Sequence, residues 1–267
     1  MMRCRPALGT YVSIHIAGDR LSPAAQQHAC DQAFAAVAEV QACMSVFDAN
    51  SDLSRINAGA FARRAGPIHP WLWELLALAQ HIHRLCPAFD PCAAAKCLRF
   101  QNKTAPLSDL VLLDDHHVWT TAPLALDLGG IAKGDAVDRA VAALQAHGVR
   151  NGSVNAGGDL RVFGSQAQAI YLRQAGSPHQ LRWAGMLQDG AVATSANDFV
   201  ATFEGAGHRR SHLVDPGNGQ LLDTDRSYSV LAQRCAVADA MTKVWAVTGQ
   251  ADHPAFAQMQ AQCLTTA

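Results

Sequence analysis

The chain has 267 residues, 49% of them apolar, so one large domain or two joined domains can bury a core without disulfides or structural metals. Its 21 Lys and Arg residues nearly balance its 22 Asp and Glu residues, which gives no reason to expect nucleic acid or an anionic membrane as a partner. The eight cysteines form no CxxC pair and no zinc-spaced cluster, which predicts reduced and mostly buried thiols.

The first residues carry Arg3 and Arg5 but no apolar stretch behind them. Alternating apolar residues follow at once and predict a strand over residues 11–16 rather than a signal peptide. No membrane-spanning segment is predicted. We therefore expect a cytoplasmic protein, and a trimmed N-terminus would leave a periplasmic location open.

Helical and strand patterns alternate irregularly along the chain, which favours a mixed α+β fold over a barrel of regular βα units. Apolar spacing predicts helices over residues 23–46, 53–57 (capped by Ser51), 70–85 and 236–247, and another near Pro254. Alternation predicts strands over residues 152–154, 160–163, 169–173, 190–194, 199–203 and 229–233, and a hairpin over residues 107–121. Residues 87–98 read as a loop with a short turn, and HLVDPGNGQ as a strand running into a turn.

The segment LDLGGIAKG, residues 126–134, is the most informative for function. Its paired glycines, Gly129 and Gly130, stand between a short apolar run and a helix, so backbone N–H groups and the helix dipole can approach an anion. Lys133 adds a positive charge. These features suit a phosphate, but the segment is neither a Walker loop nor a G-x-G-x-x-G motif, and a tight structural turn with a solvated lysine also explains them.

Three other stretches carry candidate binding residues, and each also has a structural explanation. NAGGDL, residues 155–160, predicts either a tight turn or close approach to a flat or anionic ligand. The hydroxyls of Thr194 and Ser195 end an apolar run and suit either a cap or a ligand oxygen. His212 lies three residues before Asp215 on a strand, so the two side chains point to opposite faces and form no obvious His–Asp couple.

Near the end of the chain, Asp239, Thr242 and Lys243 stand at positions i, i+3 and i+4 of a predicted helix and share one face. A carboxylate and a hydroxyl suit Mg²⁺ when phosphate oxygens and water complete its octahedron. The alternative is an ion pair between Asp239 and Lys243.

Taken in order, these segments resemble the FAD:protein FMN transferases of the ApbE family over nearly the whole chain, from ALGT at residues 7–10 to VWAVTG at residues 244–249. The matching blocks are Leu8-Gly9-Thr10, FDANSDLSRIN, Phe89-Asp90-Pro91, LDLGGIAKG, NAGGD, ATS, HLVDP and the closing ADA helix, and Asp138 also fits. The resemblance implies one ApbE-like domain over residues 1–267, with a mixed α+β fold of two intertwined subdomains and a flavin-binding cleft between them.

The resemblance also implies an activity. A Thr or Ser hydroxyl of a client protein attacks the FMN-side phosphorus of FAD, Mg²⁺ lies on the pyrophosphate, and AMP leaves. The expected client motif is Asp-Gly-x-Thr/Ser-Gly-Ala-Thr/Ser, as in subunits of ion-pumping quinone reductases. Two alternatives stay open: an FAD pyrophosphatase that releases FMN and AMP, and an FAD-binding protein without turnover.

Site roles follow from the resemblance position by position. His212 is the expected base for the client hydroxyl, a role that suits histidine near neutral pH. Gly130, through its backbone carbonyl, Asp239 and Thr242 are the expected metal ligands. The expected FAD-binding residues are Leu8, Phe47, Phe89, Asp90, Asp127, Lys133, Asn155, Gly157, Gly158, Thr194 and Leu213.

Two positions depart from the family pattern. Leu8 stands where many members have Met, which is also apolar. Lys243 stands where the family has a Thr four residues after the Asp. Either Thr242 takes over as the ligand, or the Lys243 ammonium takes the place of the cation and weakens the expected dependence on Mg²⁺.

Overall fold

The computed structural model describes residues 1–18, 20–62, 64–99, 105–174, 177–196 and 213–264. Its helices are α1 (Pro23–Met44), α2 (Asp52–Asn57), α3 (Pro70–Leu85), α4 (Pro91–Arg99), α5 (Ala132–Ala146), α6 (Cys235–Thr248) and α7 (Pro254–Gln258). Its strands are β1 (Met2–Ala7), β2 (Thr10–Ile16), β3 (Gly66–Pro67), β4 (Leu110–Leu113), β5 (His117–Thr120), β6 (Gly152–Ala156), β7 (Asp159–Phe163), β8 (Gln168–Gln174), β9 (Ser177–Leu187), β10 (Gly190–Ala196), β11 (Val214–Asp215), β12 (Gln220–Leu221), β13 (Ser227–Ala232) and β14 (Gln262–Cys263). The predicted strand over residues 199–203 lies outside the described residues.

Seven strands form one antiparallel sheet in the order β1-β2-β6-β7-β10-β13-β14. Alternate residues of β2 are fully buried against α1 and α5, as the alternating pattern predicts. A second hydrophobic cluster joins α3 and α6 to the small sheet of β3, β5 and β4. The mixed α+β fold is confirmed, and so is the predicted hairpin, which is formed by β4 and β5.

Residues 91–99 form helix α4, so the prediction of a loop over residues 87–98 is wrong. The Asp90 carboxylate accepts the backbone N–H of Cys92 (2.8 Å) and of Ala93 (3.3 Å), and Pro91 occupies the first helical position. Both features are favourable at a helix N-terminus. The two prolines of this stretch, Pro87 and Pro91, favoured a loop in the sequence, and one of them begins the helix.

The sequence also predicts reduced thiols and no membrane-spanning segment. All eight cysteines are free, and only Cys4 is exposed. Among the described helices, none combines the length and the apolar character needed to cross a membrane.

Helices α5 and α6 cross at very short range, and this crossing positions the functional residues described below. A Cβ atom on Gly134 would lie 2.4 Å from the carbonyl oxygen of Cys235, so only glycine permits the approach. The buried Asp138 carboxylate accepts the N–H groups of Cys235 (2.9 Å) and Ala236 (3.1 Å) at the start of α6, and Arg161 of β7 donates to it at 2.7 Å. One carboxylate therefore ties α5, α6 and β7 together.

Asp138→Asn should lower the free energy of unfolding by about 3 kcal/mol, because it removes a buried charge that has several donors. The matched control is Asp31→Asn, whose carboxylate pairs with Arg5 at 2.7 Å but is 43% exposed. That change should cost much less, because water screens an exposed ion pair. Urea unfolding of both variants measures the difference, and equal losses would contradict the role given to Asp138.

Asp135 gives the fold a pH dependence. Burial raises the pKa of this fully buried carboxyl to about 6, despite the neighbouring Arg139 guanidinium. Between about pH 4 and pH 6, Asp135 therefore keeps its proton in the folded chain but has lost it in the unfolded chain. The contribution of this group to stability is lost as the pH rises through that window.

Asp135→Asn should therefore gain stability relative to the parent protein as the pH rises from about 4.5 to about 7.5, by up to about 3 kcal/mol. Near pH 4.5 the parent side chain is neutral, like Asn, and the two proteins should differ little. Urea unfolding at both pH values provides the test. A difference that stays constant, or that shrinks with rising pH, would show that Asp135 titrates normally.

Candidate functional site

A cavity of about 290 Å³ lies between the LDLGGIAKG segment, α4 and the end of β10. Apolar side chains form one part of its wall, among them Phe89, Leu98 and Leu213. Lys133 and Lys243 bring two positive charges to another part. An apolar wall combined with a few convergent polar groups is typical of a small-molecule site.

The glycine-rich loop is held rigidly from two sides. The Asn57 side chain donates to the Leu126 carbonyl (2.9 Å) and accepts from the Leu126 N–H (2.8 Å). The backbone N–H of Asp127 donates to the carbonyl of Pro91 (3.0 Å), and the Asp127 carboxylate accepts the N–H of Gly129 (2.7 Å). Asp127 therefore fixes the turn at the cavity wall and presents Gly129 to the cavity.

Lys133, in the first turn of α5, donates to Asp159 Oδ2 at 2.6 Å. Asp159 begins β7 and is almost completely buried. Burial opposes the charge on Lys133, but the carboxylates of Asp159 and Asp239 outweigh it and raise the pKa of Lys133, which stays an ammonium. Burial and the nearby Asp239 charge raise the pKa of Asp159.

Lys243 and Asp239, one turn apart on α6, form a second buried ion pair. Lys243 Nζ donates to Asp239 Oδ1 and also to the Asp239 carbonyl oxygen (3.0 Å). Asp239 Oδ2 accepts the N–H of Gly134 (3.2 Å). Burial alone would raise the pKa of Asp239, but the ammonium groups of Lys243 and Lys133 hold it below its usual value, so Asp239 is ionised. We call Lys133, Asp159, Asp239 and Lys243 the four-charge cluster.

Hydroxyl groups lie next to this cluster. Thr242 Oγ1 donates to the Asp239 carbonyl oxygen (2.6 Å), so the Ser195 hydroxyl, 2.7 Å from Thr242 Oγ1, acts as the donor of their hydrogen bond. The Thr194 hydroxyl lies 2.8 Å from that of Ser229. Thr194 and Ser195 both line the cavity, whereas Thr242 is fully buried behind it.

The structure brings many of the predicted site residues together. The ones that line the cavity are Phe89, Asp90, Asp127, Gly130, Lys133, Gly157, Thr194 and Leu213. Asp239 belongs to the four-charge cluster and Thr242 contacts it, and both residues are buried behind Lys243 rather than lining the cavity. His212, the predicted base, lies outside the described residues.

Four predicted residues take other positions. Leu8 lies in the turn between β1 and β2, with φ at +55° and its N–H on the Gln41 side chain (2.8 Å). Asn155 accepts the N–H of Gly158 (3.0 Å), so both residues build a tight turn beside the cavity. Phe47 is 82% exposed and borders a neighbouring cavity of about 400 Å³.

Two important residues were not assigned a role from the sequence. Asn57, which holds the loop, ends the short helix α2, and its place in the FDANSDLSRIN block was the available signal. Asp159, the partner of Lys133, directly follows the paired glycines of NAGGD. Ser195, the donor to Thr242, was named with Thr194 as a candidate hydroxyl.

The chain matches known proteins over nearly its whole length. The family model described as the ApbE family matches residues 8–265. An FAD:protein FMN transferase of Rhodobacter capsulatus is 27% identical over 232 residues, which are 78% of this chain and 44% of the relative. One from Vibrio cholerae is 34% identical over 133 residues, 48% of this chain and 40% of the relative. The chain spans about half or less of the length of the curated relatives it matches.

Solved structures show the same fold. The ApbE protein of Thermotoga maritima superposes with a TM-score of 0.79 at 24% identity, covering 94% of this chain and 88% of that one. The structure of a mutant of flavin transferase ApbE from Vibrio cholerae superposes with a TM-score of 0.77 at 22% identity, covering 98% and 91% of the two chains.

The Lys133–Asp159 pair predicts a measurable coupling. Lys133→Met leaves the Asp159 carboxylate buried without its ammonium and should lower the free energy of unfolding by about 2 kcal/mol. Adding Asp159→Asn in the same chain should cost less than the sum of the single changes, with a coupling of about 1–3 kcal/mol. Urea unfolding of the four proteins gives this value, with Lys96→Met, an exposed lysine of α4, as the control. Additive losses would show that the pair contributes nothing.

Proposed function

Because the chain belongs to the ApbE family, we propose that it is an FAD:protein FMN transferase, which acts on FAD and a client protein. The observation that supports this most directly is the placement of Lys133 and Lys243 at the cavity of the LDLGGIAKG loop. Two ammonium groups suit a pyrophosphate, and the wall formed by Phe89 and Leu213 suits a flat ring.

The proposed reaction is a displacement at phosphorus. The oxygen of a client Thr or Ser hydroxyl forms a bond to the FMN-side phosphorus of FAD. The bond from this phosphorus to the bridging oxygen breaks, and AMP leaves with that oxygen. Negative charge on the phosphoryl group and on the leaving AMP is stabilised by Lys133 and Lys243. The hydroxyl proton passes to a base, and His212 is the residue we propose for it.

FAD contacts are proposed for the residues that line the cavity. Phe89, Asp90 and Leu213 face the ring end of the ligand, and Asp127, Lys133, Gly157 and Thr194 face its phosphates. Leu8, Asn155 and Gly158 act through the turns beside the cavity. Phe47 extends the surface along the neighbouring cavity, where the client motif Asp-Gly-x-Thr/Ser-Gly-Ala-Thr/Ser has room to approach.

The resemblance also implies Mg²⁺, and the donor atoms test this expectation. Asp239 and Thr242 are neighbours on α6, but the Lys243 ammonium contacts Asp239 Oδ1 and the Lys243 stem lies beside Gly130, so a cation at these residues would meet a like charge. No group of three or more His, Cys, Asp or Glu side chains suited to a metal exists in the described part of the chain. These residues do not fit Mg²⁺ as they stand, so the proposed reaction assigns no step to it.

The proposed activity is tested with a client domain that carries Asp-Gly-x-Thr-Gly-Ala-Thr. After incubation with this protein and FAD, mass spectrometry should show a gain of one FMN residue on the client, with AMP released. His212→Ala should slow the transfer by about 100-fold or more, because the hydroxyl loses its base, while FAD binding is unchanged. His81→Ala, which changes an exposed histidine of α3, is the matched control.

A client whose acceptor Thr is replaced by Val should gain no mass. An unmodified wild-type client would contradict the transferase. In that case free FMN and AMP would indicate hydrolysis, and intact bound FAD would indicate a binding protein without turnover.

A further inference from the structure

The Lys243 side chain contacts both Gly130 and Asp239, and Thr242 bonds to the same Asp239 residue. Its Nζ donates to two oxygens of Asp239, and its aliphatic stem lies against Gly130, where an added Cβ would be 3.2 Å from Lys243 Cε. Thr242 donates to the same Asp239 carbonyl oxygen that Lys243 contacts. The Lys243 ammonium therefore lies on Asp239, one of the residues expected to hold a metal, and its stem lies beside Gly130, another of them.

We propose that the Lys243 ammonium is the permanent cation of this site, binds the pyrophosphate of FAD directly and makes FAD binding independent of a divalent metal. This proposal rests on the proposed function, because it names the group that recognises the phosphates of that same substrate.

Donor geometry supports the proposal. Mg²⁺ requires near-octahedral oxygen ligands, and on Asp239 Oδ1 it would lie directly beside the Lys243 ammonium that already contacts this oxygen, so two like charges would repel. Lys243 has three N–H donors, and its contacts with Asp239 use two of them. The third is available for a phosphate oxygen in the cavity that Lys243 lines.

Charge balance supports it as well. The four-charge cluster contains two ammonium groups and two carboxylates, so its formal charges cancel when all four groups are ionised. Both lysines remain partly accessible, with side chains 35% exposed at Lys133 and 19% exposed at Lys243, whereas both aspartates are buried behind them. A ligand in the cavity therefore meets the positive side of the cluster. A divalent cation added there would meet two like charges.

The first test measures FAD binding by fluorescence quenching with the wild-type chain, in EDTA and in excess Mg²⁺. The two dissociation constants should agree within about twofold. Lys243→Thr replaces the ammonium with the hydroxyl that the family has at this position and frees Asp239 Oδ1. This variant should bind FAD about tenfold or more weakly in EDTA and recover most of that loss in Mg²⁺. Lys96→Thr, on the exposed face of α4, should behave like the wild type. Wild-type binding that tightens about tenfold or more in Mg²⁺ would overturn the proposal.

The second test uses Mn²⁺ alone, followed by electron paramagnetic resonance, and needs no FAD. The ligand-free wild type should leave the free Mn²⁺ signal unchanged, and Lys243→Thr should reduce it. Mn²⁺ binding by the wild type at a site lost in Asp239→Asn would overturn the proposal, even if Lys243→Thr fails to fold. A wild type that binds FAD neither in EDTA nor in Mg²⁺ would instead overturn the proposed function, so the two failures are distinguishable.

Discussion

Pairing of buried charges is the constraint on which the site depends. An isolated charge is very costly to bury, so Asp159 and Asp239 require cations beside them. Those cations are Lys133 of α5 and Lys243 of α6, and each lies partly open to the cavity. The two lysines that neutralise the buried carboxylates therefore also place ammonium groups where an anionic ligand can reach them.

This arrangement is possible only because α5 and α6 approach closely. Gly134 removes the side chain that would collide with the backbone at Cys235, and its N–H reaches Asp239. Asp138, one turn further along α5, binds the first N–H groups of α6. The same short stretch of α5 thus supplies a cavity lysine, a helix contact and a helix cap, so substitutions in it affect stability and ligand binding together.

Local features were predictable from the sequence, and long-range pairings were not. The loop and helix of LDLGGIAKG and the possible pairing of Asp239 with Lys243 follow from spacing along one segment. Asp159 is 26 positions from Lys133, and Asn57 is 69 positions from Leu126, so their contacts depend on how β7 and α2 meet the loop. No spacing rule connects such distant positions.

Among the elements that were not predicted, α4 and β1 were missed for a different reason. Helix α4 begins at Pro91 after an Asp cap, a start signal that Pro87 and the short length of the helix concealed. Strand β1 carries Arg3, Arg5 and Pro6 and pairs at the sheet edge with β2, where a charged and proline-containing strand is tolerated. Its sequence has no apolar alternation that could reveal it.

The most direct test of this account is a crystal structure of the protein with FAD, grown in the presence of Mg²⁺. We predict that the pyrophosphate lies in the cavity beside Gly129 and Gly130, with Lys133 Nζ and Lys243 Nζ within hydrogen-bond distance of its oxygens and Lys243 still paired with Asp239. A metal ion coordinated by Asp239, with Lys243 displaced, would contradict it.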